Sequence, residues 1–122
     1  MAYNTHRPTA DKYLNAQLVD ISAASIAYVA VPGQGVLVDV YCVIANAITG
    51  SDGTVTIKVD GTSVGTLTAT VAGSAAGTVF TATFTGTEVQ RTVGAASYIT
   101  LDSDGVSSTT AVANFTCVIR EL

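Results

Sequence analysis

Residues 54–71 decide the fold class, and they read TVTIKVDGTSVGTLTATV. In residues 54–59 and again in 66–71, apolar side chains occupy the odd positions and threonine or lysine the even ones. Because successive side chains of a strand point to opposite faces of a sheet, this period of two predicts two strands, each with one buried face. The Asp60-Gly61 pair between them is typical of a tight hairpin turn.

The rest of the chain continues the same pattern. Residues 78–84, 98–102 and 110–121 alternate in the same way, and Gly, Ser and Asp separate these runs. The chain contains 17 Val and 19 Thr against 6 Leu, and β-branched residues fit a pleated strand better than a helix. A chain of 122 residues is one domain of ordinary size. We therefore predict an all-β fold, a single antiparallel β-sandwich over residues 21–122.

Residues 1–20 differ from this pattern, because alternation is not sustained before residues 18–21. We predict an extended N-terminal arm that ends in a short first strand. The arm holds three of the six Lys, Arg and His residues, namely His6, Arg7 and Lys12. It is either a contact segment or a frayed terminus without a role.

Residues 36–45 are apolar on both faces. The even positions are Val, Cys or Ile throughout, and the odd positions include Leu37, Tyr41 and Val43. A strand of this kind is covered on both sides, either by another layer of the same chain or by a neighbouring subunit. We favour the neighbouring subunit and predict that these three odd-numbered residues form a subunit interface.

Composition excludes several classes of partner. Five Lys and Arg residues and a net charge of −4 argue against direct nucleic-acid binding, which needs clustered positive charge. No apolar run approaches the length of about 18 residues that a membrane span needs. The first eight residues lack the apolar segment of a secretory signal, so we expect the chain to be made in a cytoplasm.

The candidate chemistry is sparse, and we expect neither an enzyme nor a cofactor. Cys42 and Cys117 both face inward in the predicted strands, which favours two free core thiols over a disulfide. Asp102 and Asp104, followed by Gly105, resemble the start of a calcium loop, but no acidic ligand follows at the required distance. A turn is the simpler interpretation. A single histidine, His6, gives no basis for a hydrolytic triad.

Several stretches resemble the small structural proteins of tailed bacteriophages, in particular capsid decoration, or cement, proteins. The resemblance covers residues 29–122. Its motifs are VAVPGQGV at residues 29–36, VYCV at 40–43, NAITGSDGTVTI at 46–57, GSAAG at 73–77 and DGVSSTTA at 104–111.

This resemblance implies a jelly-roll or β-sandwich domain that sits as a homotrimer on the outside of the capsid and is assembled in the host cytoplasm. The implied partners are the major capsid protein and the chain itself. The arm residues expected to contact the shell are His6, Arg7, Lys12 and Tyr13. Two alternatives remain: the base of a head fibre or tail spike, and a carbohydrate-binding module, which would need exposed aromatic side chains such as Tyr28, Tyr41 and Tyr98.

Overall fold

The computed structural model describes residues 11–121, and within that range the chain is all-β, as predicted. No helix in the described range is long and apolar enough to cross a membrane. The strands are β1 (Asp11–Leu18), β2 (Ser25–Ala30), β3 (Gly35–Ile44), β4 (Gly53–Val59), β5 (Thr62–Ala69), β6 (Val79–Phe84), β7 (Thr92–Val93), β8 (Tyr98–Ser103) and β9 (Ala113–Glu121).

The strands pair in the order β1-β9-β3-β6-β5-β4-β8-β2, every pair is antiparallel, and the short β7 pairs with β3. Strand β6 joins the two sheets of this arrangement, because its beginning pairs with β3 and its end pairs with β5. We call β1, β9 and β3 the β3 sheet, and β5, β4, β8 and β2 the β4 sheet. The two outermost strands, β1 and β2, approach each other, so the whole is nearly closed into a barrel.

The core lies between the two sheets and is built by the alternation that the sequence shows. The inward residues of β4, β8 and β9 include the predicted ones, whereas β5 also buries the even-numbered Val64, where its register with β4 shifts, and Phe115 is the largest side chain that is fully buried. Burial of an aliphatic side chain stabilises a fold by about 1.5–3 kcal/mol, so this contiguous cluster is the main source of stability. Its fully buried members include Ile57, Leu67, Leu101 and Ile119.

The predicted hairpin turn joins β4 to β5. Asp60 and Gly61 have φ angles of 49° and 87°, the pair of positive values that a tight turn of the primed type requires. The Asp60 carboxylate accepts hydrogen bonds from the Tyr98 backbone N–H and the Ser97 hydroxyl, both at 3.0 Å. The turn is thereby fixed to the start of β8.

The first strand lies earlier in the chain than predicted. Residues 11–18 pair along their whole length with β9, from Asp11 opposite Arg120 to Leu18 opposite Ala113. The expected strand at residues 18–21 is instead the end of β1 and a turn, in which Asp20 accepts a hydrogen bond from the Ser22 N–H. The apolar–polar alternation of β1 is weak in the sequence, because its inward positions include Lys12 and a small alanine. The part of the predicted arm before residue 11 lies outside the described residues.

The interface assignment of Leu37 is wrong, because a β-bulge changes the phase of β3. The register with β9 shifts between Leu37 and Asp39, so Val38 is an extra residue. In such a bulge, two residues of one strand lie opposite a single residue of its partner. The residues before the bulge therefore face the other side of the sheet from the one that unbroken alternation predicts. Leu37 therefore lies opposite Ile119 and is completely buried in the chain's own core.

Candidate functional site

The outer face of the β3 sheet, together with the start of β6, carries three of the large apolar side chains that are exposed on the described strands, namely Tyr13, Tyr41 and Val79. The register aligns Tyr13, Val118 and Asp39 in one row, and Asn15, Thr116, Tyr41 and Thr81 in the next. A third row contains Gln17, Asn114, Val43 and Val79. We call these rows together the β3 outer face.

Exposure and polarity vary across the β3 outer face in the manner of a protein interface. Tyr13 is 64% exposed, Val79 59% and Tyr41 38%, so these large side chains face solvent in the single chain. Amide and hydroxyl groups of β1 and β9 surround them and bond to each other, with Gln17 donating to Asn114 at 2.9 Å. Exposed aromatic and aliphatic side chains beside polar ones are typical of interface surfaces.

A shallow depression crosses the same face. It has a volume of about 510 Å³ and lies between β1, β9 and β3. Val43 contributes an apolar side chain to its lining, and Asn15, Gln17 and Asn114 contribute polar groups. A shape of this kind suits a protruding side chain of a partner protein better than an enclosed small molecule.

The ionisation of Tyr41 is shaped by its neighbour on the same strand. The Tyr41 hydroxyl donates to the Asp39 carboxylate at 3.2 Å. The negative charge of Asp39 raises the pKa of Tyr41, and that hydrogen bond raises it further. Tyr41 is therefore a neutral phenol at physiological pH, and its ring stays available for packing.

The structure brings three of the predicted site residues together on one sheet face and places the other described ones elsewhere. Tyr13, predicted as an arm contact, and Tyr41 and Val43, predicted as an interface, share the β3 outer face. Lys12 occupies the opposite face of β1, and a β-carbon at Gly33 would lie only 2.8 Å from its ammonium nitrogen. Leu37 is in the core, and His6 and Arg7 lie outside the described residues.

The two cysteines are buried core residues. Cys117 lies opposite Val40 and Cys42 lies opposite Phe115 on adjacent strands, and both thiols are free. Burial raises the pKa of each thiol to about 12. Since the thiolate is the reactive form, neither side chain is set up as a nucleophile or metal ligand.

Asp102 and Asp104 serve different partners. Asp102 lies 3.9 Å from the Lys58 ammonium on the outer face of the β4 sheet. Asp104 accepts hydrogen bonds from the backbone N–H groups of Val106 and Thr54, both at 3.2 Å. Between residues 11 and 121, no three His, Cys, Asp or Glu side chains gather as a possible metal site. Asp104 thus belongs to the turn after β8, as the turn interpretation predicts, whereas Asp102 lies within β8 itself.

A second surface feature brings together two of the tyrosines named for the carbohydrate-binding alternative. On the outer face of the β4 sheet, the Tyr28 and Tyr98 rings lie 6.4 Å apart between centroids at an angle of 41°. They come from β2 and β8, which are far apart in sequence. The outward parity of each tyrosine is visible in the sequence, but only the register of the two strands brings the rings together.

Comparisons of the chain with models of protein families, with curated proteins and with solved structures find no match. The resemblance to capsid decoration proteins therefore depends on the sequence motifs alone. Its expectation for the fold, an all-β sandwich-like domain, agrees with the structure.

Proposed function

We propose that this chain is a virion structural protein that binds the outer surface of a tailed-phage capsid as a homotrimer and stabilises the shell. The observation that carries the proposal is the β3 outer face, where Tyr13, Tyr41, Val43 and Val79 form one partly exposed surface. The resemblance of residues 29–122 to decoration proteins supplies the viral context.

The position of β3 explains why a copy of the same chain is the expected cover. β3 pairs with β9 on one side and β6 on the other, so it is a central strand. Its inward face packs in the core through Val40, Cys42 and Ile44, whereas Tyr41 and Val43 point outward. Cyclic homo-oligomers commonly cover such a face with a surface of a neighbouring subunit, and in a trimer the two contacting surfaces are different patches of the chain.

Contact with the shell is assigned to the basic residues before β1. Lys12 is half-buried against its own domain and Tyr13 belongs to the β3 outer face, so neither is free to reach away from the sheet. We therefore retain His6 and Arg7 as the proposed contacts with acidic groups of the major capsid protein. Many copies of a weak contact on one lattice add up to firm attachment.

Sedimentation equilibrium tests the self-association. The full chain should sediment as a trimer at micromolar concentration, and Val79→Lys should shift it towards monomer because it would place an unpaired charge in the proposed subunit contact. Val106→Lys is the matched control, since Val106 is also exposed, at 52%, but lies in the loop after β8. A wild-type chain that remains monomeric would contradict the trimer.

Electron cryo-microscopy tests the location on virions of a tailed phage that encodes the chain. Density for the domain at threefold or quasi-threefold positions of the head is the expected result, and heads lacking the protein should open at a lower temperature. Arg7→Ala should reduce occupancy. Density confined to one vertex or to the tail would support the base of a fibre or spike instead.

A further inference from the structure

We propose that the outer face of the β4 sheet holds a binding site for a neutral saccharide, centred on Thr100. This activity is separate from the proposed trimer and shell contacts, which use the β3 outer face and the residues before β1. In this site the tyrosine pair would pack against the sugar ring, and the buried Thr100 hydroxyl would form a hydrogen bond with it.

Thr100 is the geometric centre of the site. It points outward from β8, because Ile99 and Leu101 on either side of it are fully buried in the core. The register places it opposite Tyr28 on β2 and opposite Lys58 on β4. Tyr98 and Asp102 are its neighbours two residues away on the same face of β8, so four large side chains surround it.

The Thr100 hydroxyl is buried and has no hydrogen-bond partner among the described residues. The residue is only 6% exposed, and its Oγ1 atom is inaccessible in the single chain. An unpaired buried hydroxyl costs stability, and a chain can avoid that cost by placing a valine there. A polar ligand that moves the exposed Tyr28 or Lys58 side chain aside would reach this hydroxyl and supply the missing partner.

The aromatic side of the site offers a stacking platform. Tyr28 is 70% exposed and Tyr98 is 41% exposed, and their tilted rings form a shallow corner. The Tyr98 backbone is tied to the hairpin turn, because its N–H donates to the Asp60 carboxylate. A sugar ring presents an apolar face of C–H groups, which packs on an exposed aromatic ring.

The opposite side supplies polar groups of both kinds. Lys58 donates hydrogen bonds and Asp102 accepts them, and their charged atoms lie 3.9 Å apart with each side chain about one third exposed. Adjacent hydroxyls of a sugar act as donor and acceptor at once, which matches this pair. A few placed polar groups beside aromatic side chains are the usual makeup of a small-molecule site.

Charge selects a neutral ligand over an acidic one. Lys58 is offset by Asp102, and Asp60 lies at the neighbouring turn. The chain as a whole carries a net charge of −4. A phosphate or carboxylate ligand would meet an environment that is neutral to negative, whereas a neutral hexose or N-acetylhexosamine would not.

The test is a titration followed by amide chemical shifts in the full chain. The probes are the methyl glycosides of glucose, galactose, mannose and N-acetylglucosamine, with methyl glucuronide as the acidic comparison, each to about 20 mM, the range in which weak sugar sites saturate. At least one neutral glycoside should shift the amides of Tyr28, Lys58 and Thr100 and leave those of the β3 outer face unchanged.

Variants separate a sugar site from a structural patch. Tyr28→Ala should weaken binding at least about tenfold, the effect of losing roughly 1.4 kcal/mol, while Val89→Ala, an exposed apolar residue in the loop before β7, should leave it unchanged. Thr100→Val should raise the melting temperature slightly yet weaken sugar binding several-fold, a combination that a merely structural residue would not give.

Three outcomes would overturn the proposal. The first is that no neutral glycoside shifts these amides at the highest concentration. The second is that Tyr28→Ala binds the sugars as tightly as the wild type. The third is that Tyr28→Ala dissociates the oligomer in sedimentation, which would show that another copy of the chain covers the tyrosine pair.

Discussion

Leu37 and Arg91 are joined by two hydrogen bonds across the bulge of β3. The Leu37 N–H donates to the Arg91 carbonyl oxygen at 2.9 Å, and the Arg91 guanidinium donates to the Leu37 carbonyl oxygen at 2.6 Å. The same guanidinium lies 5.1 Å from the centre of the Phe84 ring. A single residue, through its backbone carbonyl and its side chain, thus satisfies the irregular backbone that turns Leu37 into the core.

Replacing Arg91 should therefore destabilise the domain. Arg91→Ala removes a charged donor from a partly buried carbonyl and a cation–π contact, and we expect a loss of about 2 kcal/mol in the free energy of unfolding. Urea denaturation measures it. Arg120→Ala is the control, because its 3.5 Å ion pair with Asp11 is solvent-exposed and should change stability by less than about 1 kcal/mol. Equal effects of the two variants would refute the role of Arg91.

Asp20 should make stability fall in acid. Its carboxylate accepts hydrogen bonds from the Ser22 hydroxyl at 2.6 Å, the Ser22 N–H at 2.9 Å and the Ala111 N–H at 3.2 Å. The hydrogen bonds from Ser22 lower its pKa below the ordinary value of 3.8. The stabilisation is thus fully present above pH 3.8 and is lost as the pH falls through the lower pKa of the folded state.

The Asp20→Asn variant measures this contribution. At neutral pH it should be less stable than the wild type, because an amide is a weaker acceptor for three donors. Below pH 3.8 the difference in midpoint of urea unfolding should shrink as the wild-type carboxylate takes up its proton. A difference that stays constant from neutral pH into acid would show that Asp20 contributes nothing through its charge.

Cys42 and Cys117 should be unreactive in the folded protein. With a pKa of about 12, only about one thiol in ten thousand is a thiolate at pH 8, and both side chains are buried. A colorimetric thiol reagent should therefore react with neither residue in buffer and with both in denaturant. Rapid modification of the native chain would mean that β3 and β9 separate easily.

Two glycines should respond in opposite directions to alanine. A β-carbon at Gly35 would lie 2.7 Å from the Arg120 carbonyl oxygen, so Gly35→Ala must push β3 away from β9 and should cost about 2 kcal/mol. Gly94 has open space around it, so Gly94→Ala should be neutral or stabilising by about 0.5 kcal/mol. The thermal unfolding midpoints of both variants test this prediction. A Gly35→Ala variant as stable as the wild type would contradict the close packing of β3 against β9.

The parts of the fold that the sequence predicts are those with an unbroken period of two. Strands β4 and β9 and the turn at Asp60 and Gly61 follow directly from alternation and turn chemistry. The sequence pattern places β1 too late in the chain, because Lys12 interrupts the apolar inward positions of that strand. It places Leu37 on the outer face, because the extra residue of the bulge reverses the inward–outward alternation of β3. A bulge depends on how a neighbouring strand and the Arg91 loop pack, which a local pattern does not contain.

The candidate surfaces show the same division. Tyr41 and Val43 point outward as their positions predict, because they follow the bulge in regular strand. The square of side chains around Thr100 draws on three strands, β2, β4 and β8, and no spacing within one strand encodes it. None of these residues stands out in the sequence, and only the register of the three strands brings them together.

The sharing of β6 between the two halves has a mechanical meaning. Its first residues are hydrogen-bonded to β3 and its last residues to β5, so one continuous length of backbone crosses the junction. At this junction the halves consequently have no seam along which they could peel apart. Force applied to either one passes along covalent bonds to the other, a construction suited to a part that has to resist stretching.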